Sequence, residues 1–592
     1  MQLISKKWAL VACLYSALIL PAFNVAAMAE DGKLTHFQLS NGLDLFVKED
    51  HSRKVAAIQI WVMVGSANEN DSERGISHLI EHMAFKGTKT RGVGRISEEI
   101  EEIGGEINAY TSLDETVFHI VVPATEASRG LDILTDAVFR PSIDPQELER
   151  EKKVVVEEIL EGEDRPEDVA SRLLFKTAYT RSPYQYPIIG FKDVVEKITR
   201  ENILDFYKKW YVPENMFLII VGDVDPLAVS KDLESLTANV KQTGFFRVPL
   251  PQEPPQKNIR SAALRDANAR ETRLDIAFHI QSMKGNDVNA LDLIADILAA
   301  RDDSRLVRLL KKEKGIVNSI SVYSLTPKEP GLMQISATLD AKNLDAATRS
   351  IMEELARLRQ TPPSEDELQN AKIHVESQHV YARETVQGAA RNMGSFQNQL
   401  ADADYEEKYL VLNSAVTPQQ ISDAAEKYLA PPNLTITVLL PDGVAEDFQI
   451  ERLEKIASTI EPEIKTGSQN TAASPTVIYE LENGMKVILV PDNSNPVISF
   501  RIASLGGKRF ETEDTQGIMN FVSRMLTKGA GNMTEFDLAR KVDEIGGSIE
   551  GFSGFDSFGL SGSFFSRYWG EALELLSQVY TDPSFPQDKI DR

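Results

Sequence analysis

The chain has 592 residues, of which 42% are hydrophobic and 26% charged, with a formal charge of -25 and a single cysteine. That length calls for several domains. The acidic balance excludes a nucleic-acid or anionic-membrane binder and favours cationic or neutral substrates, and one cysteine excludes a disulfide framework.

The first 29 residues read as a secretory signal peptide. Lys6 and Lys7 are its charged start, residues 8–20 its apolar run, and Ala27-Met28-Ala29 its small-residue cleavage site. The apolar run is short for a membrane span, and no later run is long enough for a transmembrane anchor. Leu10-Val11-Ala12-Cys13 resembles a lipoprotein cleavage box, but the apolar run continues well past Cys13. Losing Lys6 and Lys7 takes the charge from -25 to -27, and losing Cys13 leaves no cysteine. An exported chain without disulfides fits a periplasmic location, where a large core supplies stability.

The first domain is expected over residues 34–240. Residues 36–39 and 43–47 flank Ser40-Asn41-Gly42, a hairpin signal. Residues 55–64 form a long apolar strand candidate. Gly75-Ile76-Ser77-His78-Leu79-Ile80-Glu81-His82-Met83-Ala84-Phe85 reads as one helix, packed by Ile76, Leu79, Ile80, Met83 and Phe85. His78 and His82 are four residues apart and project from one face. Two neutral imidazoles at that spacing can chelate one zinc ion, given a third protein ligand. Glu81, adjoining the second histidine, is placed to take a proton from water. The order His-x-x-Glu-His is the inverzincin signature. The alternative is a surface helix carrying two of the chain's eight histidines.

A short helix over 96–103 ends at Gly104-Gly105. Residues 107–111 and 116–122 read as strands and 126–139 as a helix. Arg91-Gly92-Val93-Gly94 reads as a loop, not a nucleotide site, and His119 as a cross-strand side chain. Asp144-Pro145 opens a helix over 145–160. Glu151 and Glu158 lie seven apart on one face of it. Either Glu158 is the third ligand with Glu151 supporting a histidine, or this is a solvated acidic helix; spacing alone leaves both open. Helices over 166–179 and 200–210 and a strand over 216–221 complete the domain. The mixture implies an α+β fold with helices over one face of an antiparallel sheet.

The succession His78-Leu79-Ile80-Glu81-His82, then Gly104-Gly105-Glu106-Ile107-Asn108-Ala109-Tyr110-Thr111, then Glu151 through Glu158-Ile159, resembles the pitrilysin/insulinase (M16-type) family of zinc peptidases. The resemblance covers nearly the whole chain after the leader. It implies one zinc ion per chain on His78, His82 and Glu158, which lies 76 residues after His82. It makes Glu81 the general base on a zinc-bound water and Glu151 the supporting carboxylate. It also places Asn108, Ala109 and Tyr110 along the cleft as substrate-binding residues, where an extended peptide can add to the strand. The implied activity is endopeptidase cleavage of peptides or unfolded proteins, either broad or at one preferred processing site.

Residues 241–260 are rich in Pro and Gln and read as a stiff linker. A second, metal-free domain is expected over 261–461, with strands at 274–280, 332–339 and 434–440. Helices are expected at 290–300 and 304–314, and four or five more between the last two strands. His279, His374 and His379 have no matching partners there and receive no metal role. Residues 462–476 are a second linker. Residues 477–592 repeat the first domain at a constant offset of 442. Leu481-Glu482-Asn483-Gly484 matches Leu39-Ser40-Asn41-Gly42, and Glu544-Ile545-Gly546-Gly547 matches Glu102-Ile103-Gly104-Gly105. At that offset His78 becomes Asn520, Glu81 becomes Ser523 and His82 becomes Arg524, so this copy has no metal motif. The partner of Arg150 is Arg592, which implies an incomplete third domain. Four-domain family members close two halves like a clamshell. The chain is therefore expected to be a fragment, or to need self-association or a partner half. The rival reading is a catalytically incomplete peptide-binding or assembly subunit.

Overall fold

The computed structural model describes residues 32–301, 304–444, 448–460, 477–481, 483–489, 497–545 and 547–590. The leader expected over 1–29 and the linker expected over 462–476 lie outside them. The chain forms two compact units, Met1–Glu463 and Ile464–Arg592.

In the first unit, β1 (Leu34–Gln38) and β2 (Asp44–Glu49) pair antiparallel. Their turn passes through Gly42 at φ 82°, the left-handed region that a glycine enters without Cβ strain. The next elements are β3 (Val55–Val62), α1 (Ile76–Ala84), α2 (Arg95–Glu102), β4 (Glu106–Thr111) and β5 (Thr116–Pro123). Helices α3 (Ala127–Phe139), α4 (Pro145–Asp164), α5 (Pro166–Ala178), α6 (Lys192–Val195) and α7 (Arg200–Trp210) follow, then β6 (Met216–Gly222) and α8 (Pro226–Thr237). The sheet order is β1-β2-β6-β3-β5-β4. Every pair is antiparallel except β2 with β6. β6 returns to the sheet through a run of helices, so no hairpin dictates its direction. α4 continues past the expected 160 to Asp164 and stops where Arg165 turns extended ahead of Pro166.

One face of this sheet builds a core from Ile58, Ile60, Phe118, Ile120, Leu218 and Ile220 against Ile76, Leu79, Ile80, Leu134 and Val155 of the helices. Each such side chain contributes about 1.5–3 kcal/mol by leaving water.

Beyond the extended segment after α8 come β7 (Arg260–Asp266), β8 (Thr272–His279), α9 (Val288–Ala299), β9 (Ser319–Leu325) and β10 (Leu332–Leu339). Then follow α10 (Leu344–Gln360), α11 (Glu365–Ala382), α12 (Val386–Leu400), α13 (Tyr405–Ala415), α14 (Pro418–Tyr428), β11 (Leu434–Pro441) and α15 (Glu451–Thr459). The second sheet runs β7-β11-β8-β10-β9, again with one parallel pair, β7 with β11. β7 and β9 were not expected. The helix expected over 304–314 is a π-helical turn, Val307–Glu313.

The two sheets exchange cover. α12 lies on β3 and β6, where Val386 and Ala390 pack with Trp61, Ala57 and Phe217. α5 lies on β7, β8 and β11. The first sheet therefore has helices on both faces rather than the one expected, and this mutual covering makes a single compact unit.

The second unit contains β12 (Val477–Glu480), β13 (Lys486–Leu489), β14 (Val497–Leu505), α16 (Ile518–Met525), β15 (Gly529–Ala530) and β16 (Met533–Thr534). It continues with α17 (Glu535–Glu544), β17 (Ser548–Ser553), β18 (Ser557–Phe565), α18 (Trp569–Thr581) and α19 (Gln587–Ile590). β14, α16, β17 and α18 begin 442 residues after β3, α1, β4 and α3. The repeat extends to backbone detail: Ile143 at φ 44° has its counterpart in Phe585 at φ 42°.

Candidate metal centre

α1 starts from Gly75 at φ 97°, a residue with no side chain to cap the helix. The cap comes from Glu69, which accepts from the N–H of Gly75 at 2.8 Å and of Ser77 at 2.9 Å. Glu69 is 4% exposed. Burial pushes its carboxyl up to about 8, against the pull of those N–H donors and Arg74. A Cβ at Gly75 would stand 2.6 Å from the Ile189 carbonyl oxygen, so only glycine fits this start. Ile76, Leu79, Ile80 and Met83 sink into the core. The 3.6-residue period then turns His78, Glu81 and His82 outward together, all half-buried.

α4 supplies the facing wall. Asp144 caps it through the N–H groups of Gln146 and Glu147 at 2.8 and 3.1 Å. Leu148, Val155 and Ile159 are buried and fix its rotation, which aims Glu151 and Glu158 at α1. Glu158 Oε2 lies 3.8 Å from His78 Nε2 and 3.7 Å from His82 Nε2. The imidazole centroids are 4.7 Å apart. One ligand atom from each of His78, His82 and Glu158 falls within 4.8 Å of the others, and no other such group of three or more occurs among the described residues.

These separations fit a metal ion better than hydrogen bonds. Two ligands each about 2 Å from a tetrahedral zinc stand roughly 3.3 Å apart, whereas 3.7 and 3.8 Å are too long for N–H···O bonds. The protonation states suit the same purpose. Burial, then the charge of His82, pushes His78 down to about 4, so its imidazole is neutral and offers a lone pair. Glu151 Oε2 lies 3.2 Å from His82 Nδ1 and holds the proton there, leaving Nε2 free toward Glu158. The other oxygen of Glu151 pairs with Lys86 at 2.8 Å. Lys86 and Glu69 were not anticipated; the spacing of Lys86, four residues after His82, was the only sign of either.

Glu81 accepts from Thr111 Oγ1 at 2.6 Å. Burial raises its carboxyl above the ordinary range, with Thr111 and His82 pulling the other way. Thr111 ends β4, the outermost strand of the sheet, and is a site residue that the sequence reading passed over. Asn108, Ala109 and Tyr110 lie on the same strand. Ala109 packs toward the core under α1, while Asn108 Oδ1 takes the Ala109 N–H at 2.8 Å. Tyr110 turns to the other face, against Trp61.

The remaining histidines have structural partners. His119 lies opposite Asn108 in β5 and bonds Gln387 at 2.8 Å. His279 bonds the Ala178 carbonyl at 2.8 Å, His379 bonds Glu406 at 3.0 Å, and His374 contacts Asp296. Arg91 ties its loop to Glu99, Asp132 and Asp136. In the second unit Glu511 caps α16 through Gly517 and Met519 at 2.8 and 3.0 Å. The repeated unit thus keeps the helix start but carries Asn520, Ser523 and Arg524 where α1 has its His-x-x-Glu-His residues.

Two family models match the sequence. Insulinase (Peptidase family M16) matches residues 45–192 and 486–592, and the Peptidase M16 inactive domain matches 197–374. An uncharacterized zinc protease of Bacillus subtilis, YmxG, is 28% identical over 343 residues, 57% of this chain and 82% of the relative. The crystal structure of a protease from Helicobacter pylori superposes with a TM-score of 0.66 at 23% identity, covering 69% of this chain and all of the other. The periplasmic protease PqqL of Escherichia coli superposes with a TM-score of 0.62 at 18% identity, over 95% of this chain and 67% of that one.

Proposed function

From its membership of the insulinase (M16) family of peptidases, we propose that this chain is a zinc-dependent endopeptidase acting on peptides or unfolded polypeptides. The observation that carries the reading is the convergence of His78, His82 and Glu158 within 4.8 Å beside Glu81. One zinc ion held there would polarise the scissile carbonyl and acidify the attacking water.

The chain's own residues do the rest. Glu81 accepts the proton of the attacking water and returns it to the leaving amine. Thr111 fixes the carboxylate's direction at 2.6 Å. Glu151 keeps His82 in the tautomer that presents Nε2. The outer edge of β4 takes the substrate main chain as an added strand. The signal-peptide pattern of residues 1–29 supports a periplasmic location, and no helix among the described residues is long and apolar enough to cross a membrane.

Zinc content and hydrolysis of a quenched fluorescent peptide library, on the wild type and on Glu81→Gln, test the reading. Zinc retained with cleavage lost in the variant is expected. Appreciable cleavage by the variant removes the role of Glu81.

A second reading, an assembly or peptide-holding subunit, draws on the second unit. Ile518 and Phe521 of α16 are each 45% exposed, whereas their counterparts Ile76 and Leu79 are fully buried. Such an apolar face favours association. Zinc bound without cleavage in the wild type would favour that reading.

A further inference from the structure

The two faces of β4 differ in chemistry. Ile107 and Ala109 turn toward α1, and Thr111 reaches Glu81. Tyr110 faces the opposite way, with its ring edge-on to Trp61 at 6.3 Å between centroids. The guanidinium of Arg391 sits 5.0 Å from the Tyr110 centroid, within the range of a cation–π contact.

Arg391 comes from α12, and α12 is held on this face at three levels. Gln387 bonds His119 at 2.8 Å, and Asn398 bonds Glu115 at 2.8 Å. Between them Gly394 lies flat on Trp61, where a Cβ would come within 2.1 Å of the indole. The position of Arg391 beside the strand is therefore fixed by packing, one turn before Gly394.

Arg391 is exposed and has no carboxylate partner among the described residues. The nearby acid, Glu115, is half-buried and engaged by Asn398. Glu106, on the same face of β4, stands at the far end of the strand. His119, half-buried beside Arg391, is neutral or cationic and so offers no anion; burial first and the arginine second lower its proton affinity. The guanidinium lies close to the ring and also engages the Tyr110 hydroxyl; its remaining N–H donors are open to a carboxylate.

We infer that Arg391 is a specificity-determining residue of the peptide groove. It receives the carboxylate of an acidic side chain in a peptide laid along β4, at the residue facing Tyr110. Cross-strand neighbours stand about 5 Å apart at Cβ, within reach of an arginine over the strand. This selection presupposes the peptidase function proposed above. It runs against the net charge of the chain, which alone favours cationic or neutral peptides, and so it is confined to one substrate position.

The test is a set of peptides carrying Glu, Gln or Lys at each position in turn. Binding is read by fluorescence anisotropy and hydrolysis by kcat/KM, on the wild type, R391K, R391Q and R391E. One position is expected to favour Glu over Gln by about three- to tenfold in both readouts. R391K should keep that ratio above one, R391Q should bring it to one, and R391E should turn it toward Lys. The same ratio in wild type and R391Q, or no position with a Glu preference in wild-type binding, overturns the inference. Binding without hydrolysis in all four proteins would fail the peptidase reading, while the Glu-to-Gln binding ratio would still decide the role of Arg391.

Discussion

Thr111 Oγ1 donates to Glu81 Oε2 at 2.6 Å, and this bond joins the outermost strand of the first sheet to the helix that carries both histidines. A peptide added along β4 would therefore pass the carboxylate that is to act on it. Burial lifts the Glu81 carboxyl and Thr111 holds it down. Thr111→Val should lower kcat about tenfold, a fraction of what a general base contributes, with zinc content unchanged. Because the lost bond was lowering the pKa, the acid limb of the kcat/KM profile should move to higher pH. A profile that stays in place with unchanged kcat would remove Thr111 from the site.

The role proposed for Glu151 predicts an effect on metal affinity and none on the proton transfer. Its carboxylate lies 3.2 Å from His82 Nδ1 and 2.8 Å from Lys86 Nζ. Removing such a partner typically weakens metal binding by about 10–100-fold. Glu151→Ala should show that loss in competition with a chromogenic chelator. Glu151→Gln keeps an acceptor oxygen and should lose less. Equal zinc affinity in all three proteins would make Glu151 a structural ion-pair partner of Lys86 alone.

The helix cap carries a pH dependence of its own. Glu69 has its folded pKa raised to about 8 from an ordinary value of 4.5. The folded state therefore holds the proton more tightly than the unfolded chain. This group's contribution to stability is most favourable below about pH 4.5, declines as pH rises, and levels off above about 8. Glu69→Gln cannot ionise. The stability difference between wild type and variant should move toward the variant between pH 5 and about 8, read from urea midpoints at each pH. A difference that is flat across that window would show that the N–H donors of Gly75 and Ser77 keep the carboxylate charged throughout.

The parts of this molecule that were legible in its sequence are those written within one element. The 3.6-residue period displays α1, and it puts His78 and His82 on one face whatever the fold. The 442-residue repeat was readable because glycines and turns recur where the backbone demands them, as at Gly75 and Gly517 with φ of 97° and 86°. The site's supporting residues were less visible. Glu158 was a ligand candidate from its place on α4, but only the family resemblance separated it from a solvated acidic face, since the two look alike on an acidic helix. Pairings between distant segments left no local trace. β6 reads Met-Phe-Leu-Ile-Ile-Val-Gly, buried on both faces, and nothing in it announces a parallel run beside β2. β7 and β9 are largely exposed or alternating edge strands of their sheet. α12 was readable as a helix, but its small residues gave no sign that they were shaped to Trp61 of another sheet.

That fit between α12 and Trp61 can be measured directly. At Gly394 two effects oppose each other. Alanine inside a helix is favoured over glycine by about 1 kcal/mol. Against this, the new Cβ would lie 2.1, 2.3 and 2.4 Å from three atoms of the Trp61 indole. The ring is rigid and fully buried, stacked on Phe217 at 5.6 Å, and has no room to retreat. Overpacking of this kind costs about 1–3 kcal/mol or more, so the clash should win. Gly394→Ala is expected to unfold at lower urea concentration, and to loosen the Arg391 contact with Tyr110 as α12 shifts. Gly92→Ala is the control, because nothing lies within 4 Å of its Cβ position, and its midpoint should match the wild type. A Gly394→Ala protein as stable as Gly92→Ala would mean that α12 can rise off the sheet at little cost. The second sheet's cover over the first would then be a loose lid and not a fixed one.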